Sequence, residues 1–393
     1  MNYQDYFSDS IKIHAIGFDH GYDEKIIRTL VYIHMKIKEN ASLKKYNTFN
    51  IDVKAKYLVE LESKEECLDV LDKYKDEKIL ILGGGSNILF VNDWNGIVLR
   101  PVFKGINIIE ETENSVLLEV AAGEEWDSFV RWCVKHDYAG VENMVLIPGS
   151  VGGAVSQNIA AYGQNITDTL TSITVIELST KKEITLKPEE CGYEYRRSNF
   201  KNIWKNKYLI TSAIFELKKN NKEFELSYHE RAGRYGSLKE ELDAFAKEPY
   251  SIQDVMEAII RQRNKRLPKV EDLGTCGSFF ENPVVTVEKY NELAKKMEDL
   301  QSYPVENLSY NVNTKDQLEG HEYVKIPAGR LLDELGWKGK WDGNVGVFEK
   351  HALCVVTNKK ASGKEVVDFI EKMKDDVKKN YGVELVTEVN IIK

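Results

Sequence analysis

The run Lys78-Ile79-Leu80-Ile81-Leu82-Gly83-Gly84-Gly85-Ser86-Asn87-Ile88-Leu89-Phe90 decides how the rest of the chain is read. An apolar strand, of the kind buried on both faces, runs straight into three glycines. Glycines let the backbone turn tightly and approach a ligand with no side chain between. Successive N–H groups in such a turn point inward and make a nest for an anion. The same residues also read as a plain tight turn between two strands. A P-loop is excluded, because it needs Lys and then Ser or Thr after its last glycine, and Ser86-Asn87 follow Gly85 here. A Rossmann turn is excluded because it must open a helix. Ile88-Leu89-Phe90-Val91, then Asn92-Asp93-Trp94-Asn95-Gly96, then Ile97-Val98-Leu99 read as strand, turn and strand. A phosphate held here is held without a helix dipole behind it.

The chain has 393 residues, which suggests two or three domains. Hydrophobic residues at 42% and charged residues at 30% are ordinary for a soluble globular protein. A net charge of −9 argues against a general nucleic-acid binder but leaves room for a local basic pocket. Cys67, Cys133, Cys191, Cys276 and Cys354 form no Cys-x-x-Cys pair, and the histidines show no metal-ligand spacing. A reducing, cytoplasmic setting and no structural metal are expected. The first ten residues carry Asp5 and Asp9 and no base, so no signal peptide is expected. The apolar segment 26–37 holds Arg28, His34 and Lys36 and is too short to span a bilayer.

In chain order, residues 23–38 carry helical periodicity, with Ile26, Ile27, Leu30, Val31, His34 and Met35 on one side. Ser63 and Glu66 read as a capping box for a helix to about residue 75. Residues 115–121 read as a strand. Residues 124–136 read as an amphipathic helix with Trp126, Phe129, Val130, Cys133 and Val134 on its apolar face. Residues 147–163, from Ile147-Pro148-Gly149 to Ala161-Tyr162-Gly163, are crowded with small residues and read as a second side-chain-poor loop. Such a backbone lies flat against a large planar ligand, with Ser156, Gln157 and Asn158 for its polar edges. A glycine-rich loop packed on another element is the alternative.

Residues 172–178 and 183–186 read as a hairpin. Tyr193-Glu194-Tyr195-Arg196-Arg197 follows on an irregular segment, either gripping an anion or forming a solvated basic turn. The charged segment 230–248 reads as an excursion and a domain boundary. Ser251 starts a helix with Ile252, Val255, Met256, Ile259 and Ile260 inside. Its end, Arg261-Gln262-Arg263-Asn264-Lys265-Arg266, complements the helix C-terminus or holds a pyrophosphate. Gly274-Thr275-Cys276-Gly277-Ser278-Phe279-Phe280-Glu281-Asn282-Pro283 reads as a turn entering a strand. Helices are expected at 286–300 and at 327–335, the latter stopped by Gly336, with more strand at 345–357. Ser362 and Glu365 cap a long helix to Tyr381, and Gly382 ends it. Residues 383–392 alternate as a strand, with Val383, Leu385, Val389 and Ile391 on one face and Glu388 on the other.

Taken together, these strings resemble the UDP-N-acetylenolpyruvoylglucosamine reductase (UDP-N-acetylmuramate dehydrogenase) family. The resemblance runs from Asn47-Thr48-Phe49 to Ile392. It rests on Gly-x-Gly-Ser-Asn at 83–87, Ile-Pro-Gly through Gln-Asn-Ile at 147–159, Tyr-Arg-x-Ser at 195–198, Gly-Ser-Phe-Phe-x-Asn-Pro at 277–283, and Glu-Val at 388–389. It implies an α+β chain with a two-part FAD-binding domain of the vanillyl-alcohol-oxidase type plus an α/β substrate-binding domain. The implied divisions are an N-terminal extension at 1–40, FAD-binding subdomains at 41–106 and 107–236, a substrate-binding domain at 237–380, and a C-terminal strand at 381–393 that carries Glu388. The resemblance also implies FAD as cofactor, NADPH as co-substrate, and reduction of a UDP-sugar enolpyruvyl ether to UDP-N-acetylmuramate for peptidoglycan synthesis. No nucleic-acid or membrane partner is expected, and no oligomer is indicated.

The matched positions then take roles by resemblance. Gly83, Gly84, Gly85, Ser86 and Asn87 would hold the FAD pyrophosphate. Pro148, Gly149, Ser150, Gly152, Gly153, Gln157, Asn158, Tyr162 and Gly163 would line the flavin. Arg196 and Glu388 match residues that stabilise or orient an enolate-like species, and Ser278 matches its proton donor. Tyr195 would position the substrate, while Tyr228, Arg263, Arg266 and Asn282 would hold its diphosphate and uridine side. Tyr228 and the charged excursion after it resemble the subgroup in which a tyrosine-bearing loop folds over the substrate. Arg266 stands where relatives often have Lys, Asn390 where an Arg is common, Cys276 where Ala is common, and Asn50 where Gly is usual. Two other functions compete: an FAD oxidase of a different substrate, and a non-catalytic nucleotide-sugar-binding protein on the same scaffold. The presence of Ser278, Arg196 and Glu388 together speaks against the second.

Overall fold

The computed structural model describes residues 36–226, 237–305 and 322–393. The first unit supplies strands β1 (Ile37–Ser42) and β2 (Lys54–Leu61), helix α1 (Lys64–Lys73), and strands β3 (Ile79–Ile81), β4 (Ile88–Phe90) and β5 (Trp94–Pro101). Four of these strands form a sheet in the order β1-β2-β5-β3, antiparallel between β1 and β2 and parallel elsewhere. Ile37 and Lys38 begin β1 rather than ending a helix, and residues 37–40 belong to this sheet rather than to an extension. The rest of the expected helix at 23–38 lies outside the described residues, apart from Lys36. The Ser63 hydroxyl accepts from the Glu66 N–H at 3.1 Å. The Glu66 carboxylate accepts from Glu62 instead of Ser63, so only half of the expected capping box forms. The strand that opens the glycine run is not buried on both faces. β3 sits at the sheet edge with Ile79 and Ile81 half-buried, because Ile81 borders a cavity rather than another element.

The second unit contains β6 (Ile106–Glu111), β7 (Ser115–Ala121), α2 (Trp126–Lys135), α3 (Val151–Gln157), β8 (Leu170–Glu177), β9 (Glu183–Leu186) and β10 (Tyr208–Lys219). Its sheet runs β9-β8-β10-β7-β6, antiparallel throughout. The 12-residue β10 is its central strand, and sequence pattern does not reveal its first half. Leu209 through Ala213 are buried on both faces, which erases the period-two signal. The apolar face of α2 is the expected one, and Trp126 Nε1 donates to the Met144 carbonyl at 3.0 Å.

The third stretch holds α4 (Leu238–Asp243), α5 (Ile252–Arg266), β11 (Gly274–Ser278), β12 (Val284–Thr286), α6 (Val287–Ala294), β13 (Tyr323–Lys325), α7 (Ala328–Glu334), β14 (Val345–Val347), β15 (Cys354–Thr357), α8 (Gly363–Tyr381) and β16 (Asn390–Ile392). The Ser362–Glu365 capping box on α8 is complete, and Gly382 closes the helix at φ +65°. α6 ends at Ala294, short of the expected 300. The expected strand at 383–392 is broken. Thr387 bridges Phe280, Glu388 sits at a bend, and regular pairing resumes only in β16, which runs parallel to β4.

Two cores divide the chain. One packs Leu238, Leu242, Ile252, Val255 and Ile259 from α4 and α5 with Val120, Phe129 and Phe215 of the second unit. The expected boundary before residue 237 falls inside this packing. The other core joins Phe49 and Phe90 to Phe279, Phe280, Phe369 and Val389, so the first unit and the chain's C-terminal end share one interior.

Candidate active site

Residues 83–87 form the turn between β3 and β4. None of their five N–H groups donates to another group among the described residues. The back of the turn is fastened, since the Thr48 N–H donates to the Gly85 carbonyl at 3.0 Å. The second small-residue stretch closes against it. A Cβ on Gly84 would lie 2.5 Å from Gly149 Cα, and one on Gly83 would lie 2.8 Å from Ser150 Oγ. Gly85, at φ +67°, also has no room for a side chain beside the Tyr46 carbonyl. Ser86 Oγ donates to the Pro148 carbonyl and Asn87 Nδ2 to Gln157 Oε1, each at 2.7 Å. The second stretch is not a loop throughout, because α3 occupies 151–157. Val151, Ala154 and Val155 form its inward stripe, and the Ser150 hydroxyl caps it by accepting from the Gly153 N–H.

A cavity of about 470 Å³ opens from this cradle. Every predicted residue of the first glycine stretch lines it, as do Pro148, Gly149, Ser150, Gly152, Gly153, Gln157 and Tyr162 of the second. Arg196, Arg263, Arg266, Ser278 and Glu388 line the same cavity. Its walls carry five basic side chains, with Lys201 and Lys205 completing the set, against the single carboxylate of Glu388. In a chain of net charge −9, that inversion marks a site for an anionic ligand.

Arg196 stands at the third position of the tight turn 194–197, closed by reciprocal backbone bonds between Glu194 and Arg197. Its φ is +56°, a left-handed conformation that costs a non-glycine residue about 1–2 kcal/mol. Neighbours hold it there. Asn158 Nδ2 donates to the Glu194 carbonyl at 2.8 Å, Tyr193 to the Val155 carbonyl at 3.1 Å, and Ser198 to the Ser156 carbonyl at 2.6 Å. The result places the guanidinium beside Glu388, with Nε 3.1 Å from Oε1, while Nη2 donates to the Ala160 carbonyl at 3.4 Å. The Glu388 N–H donates to the Phe279 carbonyl at 2.9 Å, which ties the carboxylate to the residue after Ser278. Ser278 ends β11 beside Gly277, whose missing side chain leaves open space. Three groups distant in sequence thus meet in one cavity.

Some predicted residues stand elsewhere. Asn158 is fully buried and supports the Arg196 turn instead of lining the cavity. Gly163 faces Glu225. Asn282 Oδ1 accepts from the Ala328 N–H at the start of α7. Tyr195 lies beside the cavity wall under Lys325, whose Nζ is 4.0 Å from its ring centre. Tyr228 lies outside the described residues. Asn390 donates through Nδ2 to the Asn87 carbonyl at 3.2 Å and so braces the cradle.

Sequence reasoning missed several ionisable groups. Burial pushes Lys325 down to about 8, with the Arg196 charge adding to the shift. Burial, with Arg266 and Lys338 nearby, lowers His351 to about 4; it lines the cavity, and its Nδ1 accepts from the Leu353 N–H at 3.2 Å. Burial also lowers Lys201 and raises Glu281. Lys201 follows Tyr-Arg-x-Ser by only three residues, but a lysine in a basic string reads as a solvated side chain.

Two family models match the chain, an FAD binding domain over residues 55–182 and the UDP-N-acetylenolpyruvoylglucosamine reductase C-terminal domain over 268–392. The UDP-N-acetylenolpyruvoylglucosamine reductase of Flavobacterium johnsoniae is 37% identical over 91% of this chain and 100% of its own length. The chain belongs to the UDP-N-acetylenolpyruvoylglucosamine reductase family. The reductase of Pseudomonas aeruginosa is 34% identical over 91% of this chain and 99% of its own. The solved UDP-N-acetylenolpyruvylglucosamine reductase of Thermus caldophilus superposes with a TM-score of 0.61 at 21% identity, covering 91% of this chain and 100% of that one, so the fold is shared. Family membership makes the chain an oxidoreductase of α+β fold with FAD as its cofactor. The residues present fit that cofactor. A row of unpaired N–H groups suits a pyrophosphate, and two glycine-rich backbones leave room for a flat ring system.

Proposed function

We propose that this protein reduces the enolpyruvyl ether of UDP-N-acetylglucosamine to UDP-N-acetylmuramate at the expense of NADPH, supplying a peptidoglycan precursor in the cytoplasm. The observation that carries this reading is the meeting of Arg196, Glu388 and Ser278 in the cavity that leads to the glycine cradle. FAD, when bound, would supply the hydride chemistry that couples oxidation of NADPH to reduction of the enolpyruvyl double bond at its methylene carbon. The N–H groups of residues 83–87 would hold its pyrophosphate, and Pro148, Gly149, Gly152, Gly153, Gln157 and Tyr162 would support the ring. Negative charge then builds on the substrate toward its carboxylate. Arg196 is placed to stabilise that charge, and Glu388 orients the guanidinium. Ser278 Oγ delivers the proton to the enolate carbon. A serine hydroxyl is a weak acid, but an enolate carbon is a strong base, so the transfer is chemically matched. Arg263 and Arg266 at the end of α5 suit the diphosphate, with Tyr228 assigned to the rest of the nucleotide sugar.

Among the described residues no helix is long and apolar enough to cross a membrane. The cysteines are free. The test is direct. The purified protein is expected to be yellow and to oxidise NADPH only when the enolpyruvyl sugar nucleotide is supplied. A protein that takes up no FAD, or that consumes NADPH equally fast without that substrate, overturns the assignment.

A further inference from the structure

Arg196 is held by more than the bonds to α3. Lys201, at the end of the 3-10 turn Asn199–Lys201, folds its side chain back and donates from Nζ to the Arg196 carbonyl at 2.7 Å. Its own N–H donates to Ser198 Oγ at 3.3 Å, and that hydroxyl is anchored to the Ser156 carbonyl. The two carbonyls of the strained turn are therefore gripped from opposite ends, Glu194 by Asn158 and Arg196 by Lys201. A left-handed arginine persists only where its surroundings over-determine it. The charges facing Lys201 are Glu388, Glu281, Arg196 and Arg197. The Glu281 N–H donates to the Val386 carbonyl, so Glu281 and Glu388 lie on paired segments and offset the cationic side of the cluster.

We propose that Lys201 is a positioning residue for the reaction: by holding the Arg196 carbonyl it fixes the left-handed turn and thereby the aim of the guanidinium at Glu388 and the substrate. This rests on the role given to Arg196 above. Lys201 itself need not touch the reacting atoms.

The experiment is a double-mutant cycle on the FAD-loaded protein with Arg196→Ala, Lys201→Met and the combined variant, plus Lys201→Arg. Two quantities are read: the anaerobic rate at which the enolpyruvyl sugar nucleotide reoxidises the reduced protein, and that ligand's affinity for the oxidised protein by calorimetry. Misplacing a catalytic group by about 1 Å costs about 100-fold, so Lys201→Met is expected to slow reoxidation by about 10–100-fold. Lys201→Arg keeps a donor and restores most of the rate. In the Arg196→Ala background the lysine substitution costs nothing further in the reoxidation rate at saturating substrate, because there is no guanidinium left to aim. If the two losses multiply in the combined variant, or if Lys201→Met matches the parent, the inference is wrong. If Arg196→Ala alone leaves reoxidation unchanged, the reading of Arg196 fails instead. Should Lys201→Met not retain flavin, Lys201→Gln, which keeps one donor without the charge, completes the same cycle.

Discussion

Ser278 sits at the end of β11, one residue from the carbonyl that fixes Glu388, and points its chemistry at a cavity rather than a core. Removing a positioned acid costs about 10²–10⁴-fold. Ser278→Ala is therefore expected to slow reoxidation by the enolpyruvyl substrate by that factor while flavin reduction by NADPH stays near normal. Equal slowing of both half-reactions, followed by stopped-flow absorbance, refutes a proton-donor role. Lys325 makes a different prediction, about stability. Its amine is buried beside Arg196, and its pKa falls from 10.5 to about 8. Below pH 8 the folded state keeps a buried charge, a penalty on the order of 3 kcal/mol, offset in part by about 0.5–2 kcal/mol from the Tyr195 ring. Between pH 8 and 10.5 the unfolded chain still holds a proton that the folded chain has released, so the penalty fades as pH rises. Lys325→Met should gain about 1–2 kcal/mol in urea unfolding at pH 7, with the advantage shrinking above pH 8. A gain independent of pH would contradict the burial argument.

At the scale of elements, the cradle is a contact between two backbones. Gly84 and Gly149 approach so closely that any side chain on Gly84 must push the stretches apart. Overpacking of this kind costs about 1–3 kcal/mol. Gly84→Ala should weaken FAD binding by about 10–100-fold and yield protein that loses its yellow colour on dilution. Retention of flavin at parental affinity would show that the contact is not needed. Much at this scale was readable in advance. The cap of α8, the apolar face of α2 and the strand-turn-strand at residues 79–99 follow from local rules. The first half of β10 was not readable, because Leu209–Ala213 are buried on both faces and carry no alternation, although Phe215 to Lys218 do alternate. Nor was α3, because glycines hid the short stripe of Val151, Ala154 and Val155.

Across the whole molecule, the C-terminal strand closes on the cofactor cradle. β16 pairs with β4, the Asn390 N–H and side chain both donate to the Asn87 carbonyl, and Val91 donates to Ile392. A chain truncated after Val389 loses these bonds, each worth about 1 kcal/mol, and is expected to melt lower and release FAD more readily. Unchanged melting and flavin affinity would rule out this coupling. The sequence by itself determined the chemistry on offer: two side-chain-poor stretches, a serine after a glycine, an arginine in a basic turn and a terminal glutamate, because these depend on residue type and local spacing. Only the tertiary structure decided which groups meet. It paired Arg196 with Glu388 across nearly two hundred residues, moved Asn158 from ligand wall to turn support, and brought in Lys201 and Lys325, since burial and contacts between distant segments leave no local trace.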